Sequence, residues 1–310
     1  MDTSQAGPGP VVIAVAQLAI TVGEPEANRQ AAAAAVTEAA QAGARLVVLP
    51  ELCDSGYVFG DGDGDGDGDG DGDGDGDGDG DRPAAAEARG LAAPADASLT
   101  LRQWHSLAGQ HQLVIAGGFC ELGADGRLYN SAAVVDGSGT RTVYRKAHLW
   151  DAEKLVFTPG DAPPPVVDTA LGRVALMICY DLEFPEWVRL AALDGADLIA
   201  APVNWPSGGR PAGERPAEVI KAQAAAATNG IFVAVADRCL TERGVSWISG
   251  SVIVGPDGYP LAGPVLADRP AVLHAVCDLS RARDKQLAGD NDLLADRRPD
   301  LYRKIFGRAD

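Results

Sequence analysis

The sequence predicts an α/β domain in which mixed β-sheets are covered by helices. Three observations carry this. Short apolar runs rich in β-branched residues recur along the chain. Ala-rich helical stretches alternate with them in the first and central parts, and strand–turn–strand pairs are interleaved between.

Residues 11–20, VVIAVAQLAI, read as a buried strand, and the Ala-rich stretch 26–44 as a helix with Gly43 near its C-terminal end. RLVVLPE, 45–51, is a strand stopped by Pro50. A helix over 97–112 and a strand over 113–122 follow. Residues 123–130 then carry the Asp125-Gly126 signature of a hairpin turn. Residues 131–149 read as strand, turn and strand. The spacing next predicts a strand over 173–179, a helix over 185–196, a strand over 197–205, and a helix over 215–230 that closes on a glycine. Strands over 231–238, 249–259 and 271–279 complete the pattern. No linker interrupts the alternation, so one domain spanning 1–310 is expected.

The formal charge is -18, which argues against nucleic acid and anionic membrane surfaces as partners. Ten of the negative charges sit in one alternating Asp-Gly repeat, Asp61 to Gly80. Alternating aspartate and glycine cannot build a core, because glycine maximises chain entropy and the aspartates repel one another. The sequence therefore predicts a disordered insertion at 61–81, tolerated because loop-closure cost grows only logarithmically with length. A calcium loop of the EF-hand type fails: Glu87 as its twelfth residue would place the first at Gly76. Weak, nonspecific cation binding is the alternative to an inert insertion.

Five scattered cysteines form no CxxC pair, and four histidines show no metal spacing, so no metal or cofactor is expected. Reduced thiols, an N-terminus without a basic and apolar leader, and the lack of a bilayer-length apolar run predict a cytoplasmic protein.

Polar residues stand where three apolar runs end: Glu51 after RLVVLP, Lys146 after TVYR, and Cys179 after RVALMI. Strand ends are where α/β folds present reactive groups. A carboxylate, an amine and a thiol make a chemically complete set. The first takes the thiol proton, the thiolate attacks a carbonyl carbon, and the ammonium stabilises the developing oxyanion. Alone, each residue reads more readily as a buried cysteine or a solvated charge than as a catalytic group.

The surrounding residues sharpen the reading. LPELCDSGY, YRKAHLWDAEKLVFTPG and ICYDLEFPEW resemble the nitrilase, or carbon–nitrogen hydrolase, superfamily, with motifs P-E-x-x-x-x-G-Y, Y-R-K-x-H-L and C-Y-D-x-x-F-P-E in the family's order. The resemblance covers most of the chain. It implies a four-layer α-β-β-α sandwich with two mixed sheets. It also implies Glu51 as general base, Lys146 as oxyanion stabiliser and Cys179 as nucleophile. Glu153 would be a second glutamate orienting Lys146 and water, and the Tyr180 backbone N–H a further oxyanion donor. Asn204 and Trp205 are expected to line the pocket, and His148 to pack. The helix end and Lys146 are expected to lower the Cys179 pKa.

Tyr180-Asp181 after the cysteine looks like the amidase branches rather than the nitrile-cleaving ones. The implied reaction is hydrolysis of small carboxamides through a cysteine thioester, with no cofactor. An N-carbamoyl amide hydrolase is the alternative; a nitrilase or a non-catalytic homologue is further away. The family resemblance also implies a homodimer or higher homo-oligomer.

Overall fold

The computed structural model describes residues 9–60 and 83–306, so the predicted insertion at 61–81 lies outside the described residues. In chain order the strands are β1 (Val11–Ala19), β2 (Ala44–Val48), β3 (Val114–Leu122), β4 (Leu128–Asp136), β5 (Gly139–Arg145), β6 (Val166–Thr169), β7 (Gly172–Leu176), β8 (Leu198–Pro202) and β9 (Phe232–Ala236). Eight shorter or later ones follow: β10 (Arg238–Cys239), β11 (Thr241–Glu242), β12 (Val245–Ser246), β13 (Val252–Val254), β14 (Pro260–Ala262), β15 (Ala271–Cys277), β16 (Gln286–Ala288) and β17 (Asn291–Asp292). The helices are α1 (Pro25–Gln41), α2 (Pro83–Leu91), α3 (Leu99–His111), α4 (Pro185–Leu193), α5 (Ala217–Asn229) and α6 (Pro299–Phe306).

One sheet has the order β10-β1-β2-β3-β4-β5, with β15 also pairing β1; the other has the order β14-β13-β9-β8-β7-β6. Both are mixed. β1, β2 and β3 run parallel, as do β7, β8 and β9, and antiparallel strands flank each trio.

The layering follows from period-two side-chain alternation. In the first sheet Ile13, Val15, Leu46, Val48, Ala132 and Val134 join the core shared with the second sheet. Their neighbours Ala14, Ala16, Val47, Ala133 and Val135 pack against Val36 and Ala39 of α1 and Trp104 and Ala108 of α3. Strands buried on both faces read as continuous apolar runs, which is why these were legible. On the far side, Val188 and Ala191 of α4 and Val219, Ala222 and Ala226 of α5 cover the second sheet. The result is helix, sheet, sheet, helix: the expected four layers.

The helix ends obey local chemistry. Pro25 opens α1, where its missing N–H is harmless, and Gly43 follows the last turn with φ +86°. Ser98 caps α3 by accepting from the Leu101 N–H. Gly230 closes α5 in the left-handed region.

Three details differ from the sequence reading. α2 was not expected; its Ala-rich PAAAEARGL adjoins the repeat and buries only Ala88. β6 was missed because it is a four-residue, half-exposed edge strand. The strand expected over 249–259 shrinks to β13, and the chain turns at Pro256–Gly258 into β14.

One close approach positions the site. Gly118 of β3 exchanges hydrogen bonds with the loop after β2, donating to the Pro50 carbonyl at 3.0 Å and accepting from Cys53 N at 3.0 Å. A Cβ on Gly118 would lie 2.6 Å from both Glu51 Cα and Leu52 N. Gly118→Ala is therefore expected to destabilise the protein by about 1–3 kcal/mol, the usual cost of overpacking. It should also displace Glu51. Thermal unfolding checks this, and an unchanged melting temperature contradicts it.

Candidate active site

Four of the predicted residues, Glu51, Lys146, Cys179 and Asn204, follow the C-terminal ends of strands. Glu51 follows β2 and Lys146 directly follows β5, both in the first sheet. Cys179 follows β7 and Asn204 follows β8, both in the second sheet. The site thus lies where the two sheets meet. The sandwich brings together four side chains that are as far as 153 positions apart in sequence.

Lys146 is the hub. It is fully buried, and its Nζ donates to Glu51 Oε1 at 2.7 Å and to Glu153 Oε1 at 2.7 Å. Glu51 is also fully buried; Asn130 Nδ2 of β4 donates to the same Oε1 at 2.7 Å. Glu51 Oε2 takes no hydrogen bond from the described residues, so it is free to exchange a proton with a reacting group. Glu153 sits in a 3₁₀ turn, Asp151–Leu155, that places it against Lys146. It accepts from Tyr57 Oη at 2.5 Å and from Trp150 N at 3.2 Å.

Cys179 opens a second 3₁₀ turn with φ +46°, a conformation that an L-residue holds only when its surroundings over-determine it. Asp181 does this. Its fully buried carboxylate accepts from Ile178 N at 3.0 Å, Tyr144 Oη at 2.8 Å and His148 N at 3.1 Å. The His148 ring also meets it, with Nδ1 at 2.7 Å from Oδ1, while stacking on Phe184 at 3.9 Å. His148 is therefore more than a packing residue: it helps hold Asp181, which holds the cysteine turn. The two lie 33 positions apart, and no local spacing signals the pairing.

Asn204 is placed differently from its expectation. Its Nδ2 donates to the Glu51 carbonyl at 3.0 Å, and its own carbonyl accepts from the Cys179 thiol at 3.7 Å. It fastens one sheet's loop to the other and is not on the cavity wall. Trp205 does lie on that wall, with Trp150, Tyr180 and Ile248, in a cavity of about 710 Å³ that reaches Cys179. The rim is polar, carrying Arg210 and Glu214 from the loop before α5 and Glu218 from its first turn. The Tyr180 ring packs edge-on against Trp150 at 4.9 Å and Phe184 at 5.0 Å.

Burial dominates the electrostatics. It pushes the Glu51 carboxyl up to about 7, against the pull of the Lys146 ammonium. Burial also disfavours the Lys146 charge, but Glu153, Glu51 and the Cys179 side outweigh it and hold the amine well above its ordinary pKa. For Cys179 the expectation of a lowered pKa is overturned. Burial, reinforced by the Glu51 and Glu153 charges, pushes the thiol well above its ordinary value despite Lys146. Cys179 is therefore a thiol at rest, and a carboxyl that titrates near neutrality is chemically able to take its proton.

Among the described residues no group of three or more His, Cys, Asp and Glu side chains could hold a metal ion. The carboxylates that might have formed one are bridged by Lys146 instead. Nor is any helix of the described residues long and apolar enough to cross a membrane.

Residues 12–286 match the family described as Carbon-nitrogen hydrolase. The chain belongs to that family. A Pyrococcus abyssi protein named Nitrilase is 32% identical over 94% of this chain and 99% of its own length. The tomato (Solanum lycopersicum) N-carbamoylputrescine amidase is 31% identical over 69% of this chain and 75% of its own. The crystal structure of an amidase from Nesterenkonia sp. superposes with a TM-score of 0.74 at 26% identity, covering 98% of this chain and all of the other. The sandwich is thus that of the amidase-like branch of the nitrilase superfamily, and the chain is a carbon–nitrogen hydrolase.

Proposed function

We propose that this hydrolase is an amidase that converts small carboxamides to a carboxylic acid and ammonia through a thioester on Cys179. The observation that carries the reading is a buried lysine held between two carboxylates in the same site as a thiol on the wall of a cavity. Glu51 takes the thiol proton as Cys179 Sγ bonds to the amide carbon. The carbonyl oxygen becomes an oxyanion held by Lys146 Nζ and the Tyr180 N–H. The C–N bond then breaks, and the proton on Glu51 goes to the departing nitrogen. Water, losing a proton to Glu51, adds to the thioester. Collapse breaks the C–S bond and releases the acid, and the Cys179 sulfur leaves as a thiolate that takes the proton from Glu51.

An N-carbamoyl amide is the second reading. The tomato relative's name favours it, and a cavity of about 710 Å³ leaves room for a polar tail against Arg210, Glu214 and Glu218.

Ammonia release from a panel separates the two: short aliphatic amides, amino-acid amides, ω-amides, N-carbamoyl amino acids and nitriles. Amide turnover is expected, and Cys179→Ala should abolish it. Turnover of carbamoyl compounds alone would select the second reading; turnover that survives Cys179→Ala would remove both.

The acid limb of the pH profile tests Glu51. Below about 7 the carboxyl is protonated in the free enzyme and cannot accept the thiol proton, so kcat/KM should fall about tenfold per pH unit there. A flat profile down to about pH 5 would rule out a base of this pKa.

A further inference from the structure

Tyr57 ends the P-E-x-x-x-x-G-Y motif and stands six residues after Glu51. Its phenol donates to Glu153 Oε1 at 2.5 Å, the same oxygen that takes the Lys146 ammonium at 2.7 Å. An ammonium has three donors. Glu51 and Glu153 take two from Lys146, so the two carboxylates together aim the third. Any swing of Glu153 re-aims it.

Tyr57 is itself gripped from behind. Glu242 Oε2 accepts from Tyr57 N at 2.9 Å and from Val58 N at 2.8 Å. The fully buried Arg238 clamps both oxygens of that carboxylate, at 2.9 and 2.7 Å. The Arg238 guanidinium lies 4.5 Å over the Trp247 ring, and Trp247 meets the Tyr57 ring edge-on at 5.5 Å. Gly56 sets the approach: its φ is +85°, and a Cβ there would lie 2.3 Å from Val22 Cα. Arg238 comes directly from the chain crossing between sheets, since one residue, Asp237, separates β9 from β10.

We propose that Tyr57 is a positioning residue for amide hydrolysis. Its phenol pins Glu153, which fixes the direction of the Lys146 N–H aimed at the oxyanion, and the Glu242–Arg238 pair pins Tyr57. This rests on the reading of Lys146 as an oxyanion donor. Burial, reinforced by Glu153 and Glu51, holds the phenol well above its ordinary pKa, so it stays a donor across the working pH range. A buried ion pair is weak evidence for stability in its own right. Here its carboxylate fixes two successive backbone N–H groups, and the first belongs to the residue that touches Glu153.

The test compares the native protein with Tyr57→Phe and Glu242→Gln, using the panel amide that the native protein turns over fastest. The second readout is the rate at which methyl methanethiosulfonate inactivates each protein. That reagent transfers a methylthio group to the Cys179 sulfur and expels methanesulfinate, with no carbonyl for Lys146 to hold. Tyr57→Phe should lower kcat roughly 10- to 100-fold, the effect of a misplacement of about 1 Å, while KM changes by less than about threefold. The inactivation rate should stay within about twofold, because thiol activation by Glu51 is intact. Glu242→Gln keeps an acceptor for the Tyr57 and Val58 N–H groups but weakens the Arg238 clamp. It should show a smaller loss with the same split, and it decides the question if Tyr57→Phe does not fold.

Native kcat in both variants overturns the proposal. So does a joint fall of kcat, inactivation rate and melting temperature, which marks a structural role. A native protein that turns over no amide removes the underlying reading, and the positioning role goes with it.

Discussion

The site depends on one constraint: a lysine ammonium with no access to water must be held by charge. Burying an ammonium costs several kcal/mol unless it is paired and its hydrogen bonds are met. Lys146 meets that condition with Glu51 on one side and Glu153 on the other. Two carboxylates and one ammonium would leave an excess negative charge in a buried site. The rise of Glu51 to about 7 relieves it, since near neutrality that group shares its time between acid and base. The same excess of negative charge, with burial, holds the Cys179 thiol well above its ordinary pKa.

The fold exists around that cluster as a set of fixings. Gly118 lets β3 lie against the Glu51 backbone, Asn130 reaches from β4, and Asn204 ties the Glu51 carbonyl to the second sheet. Asp181 collects the donors that force the cysteine turn into its positive φ. The apolar layers between the sheets supply rigidity, and these polar fixings convert it into the placement of a few atoms.

Much of this was legible in the sequence, for physical reasons. Parallel strands buried on both faces are continuous apolar runs, so β1, β2, β7, β8 and β9 are legible, and the polar residues where two of those runs stop mark Glu51 and Cys179. α2 and β6 are not legible, because α2 is a nine-residue helix beside the Asp-Gly repeat that buries only Ala88, and β6 is a four-residue, half-exposed edge strand. Pairings across the sandwich were hidden as well. His148 with Asp181, and Tyr57 with Glu153, join residues whose spacing says nothing about contact. The thiol pKa was misjudged because sequence shows the cation and the helix end but not the depth of burial, which outweighs both.

The central claim is that Lys146 and the two glutamates form one electrostatic unit. A double-mutant cycle on thermal and denaturant stability, combining Lys146→Met with Glu153→Gln, tests it most directly. Lys146→Met alone leaves two buried carboxylates without their cation and should cost about 3–5 kcal/mol. Adding Glu153→Gln should recover a large part of that loss, giving a coupling energy of more than about 1 kcal/mol. Additive effects of the two substitutions would show that the lysine and the glutamate do not depend on each other, and would contradict the account.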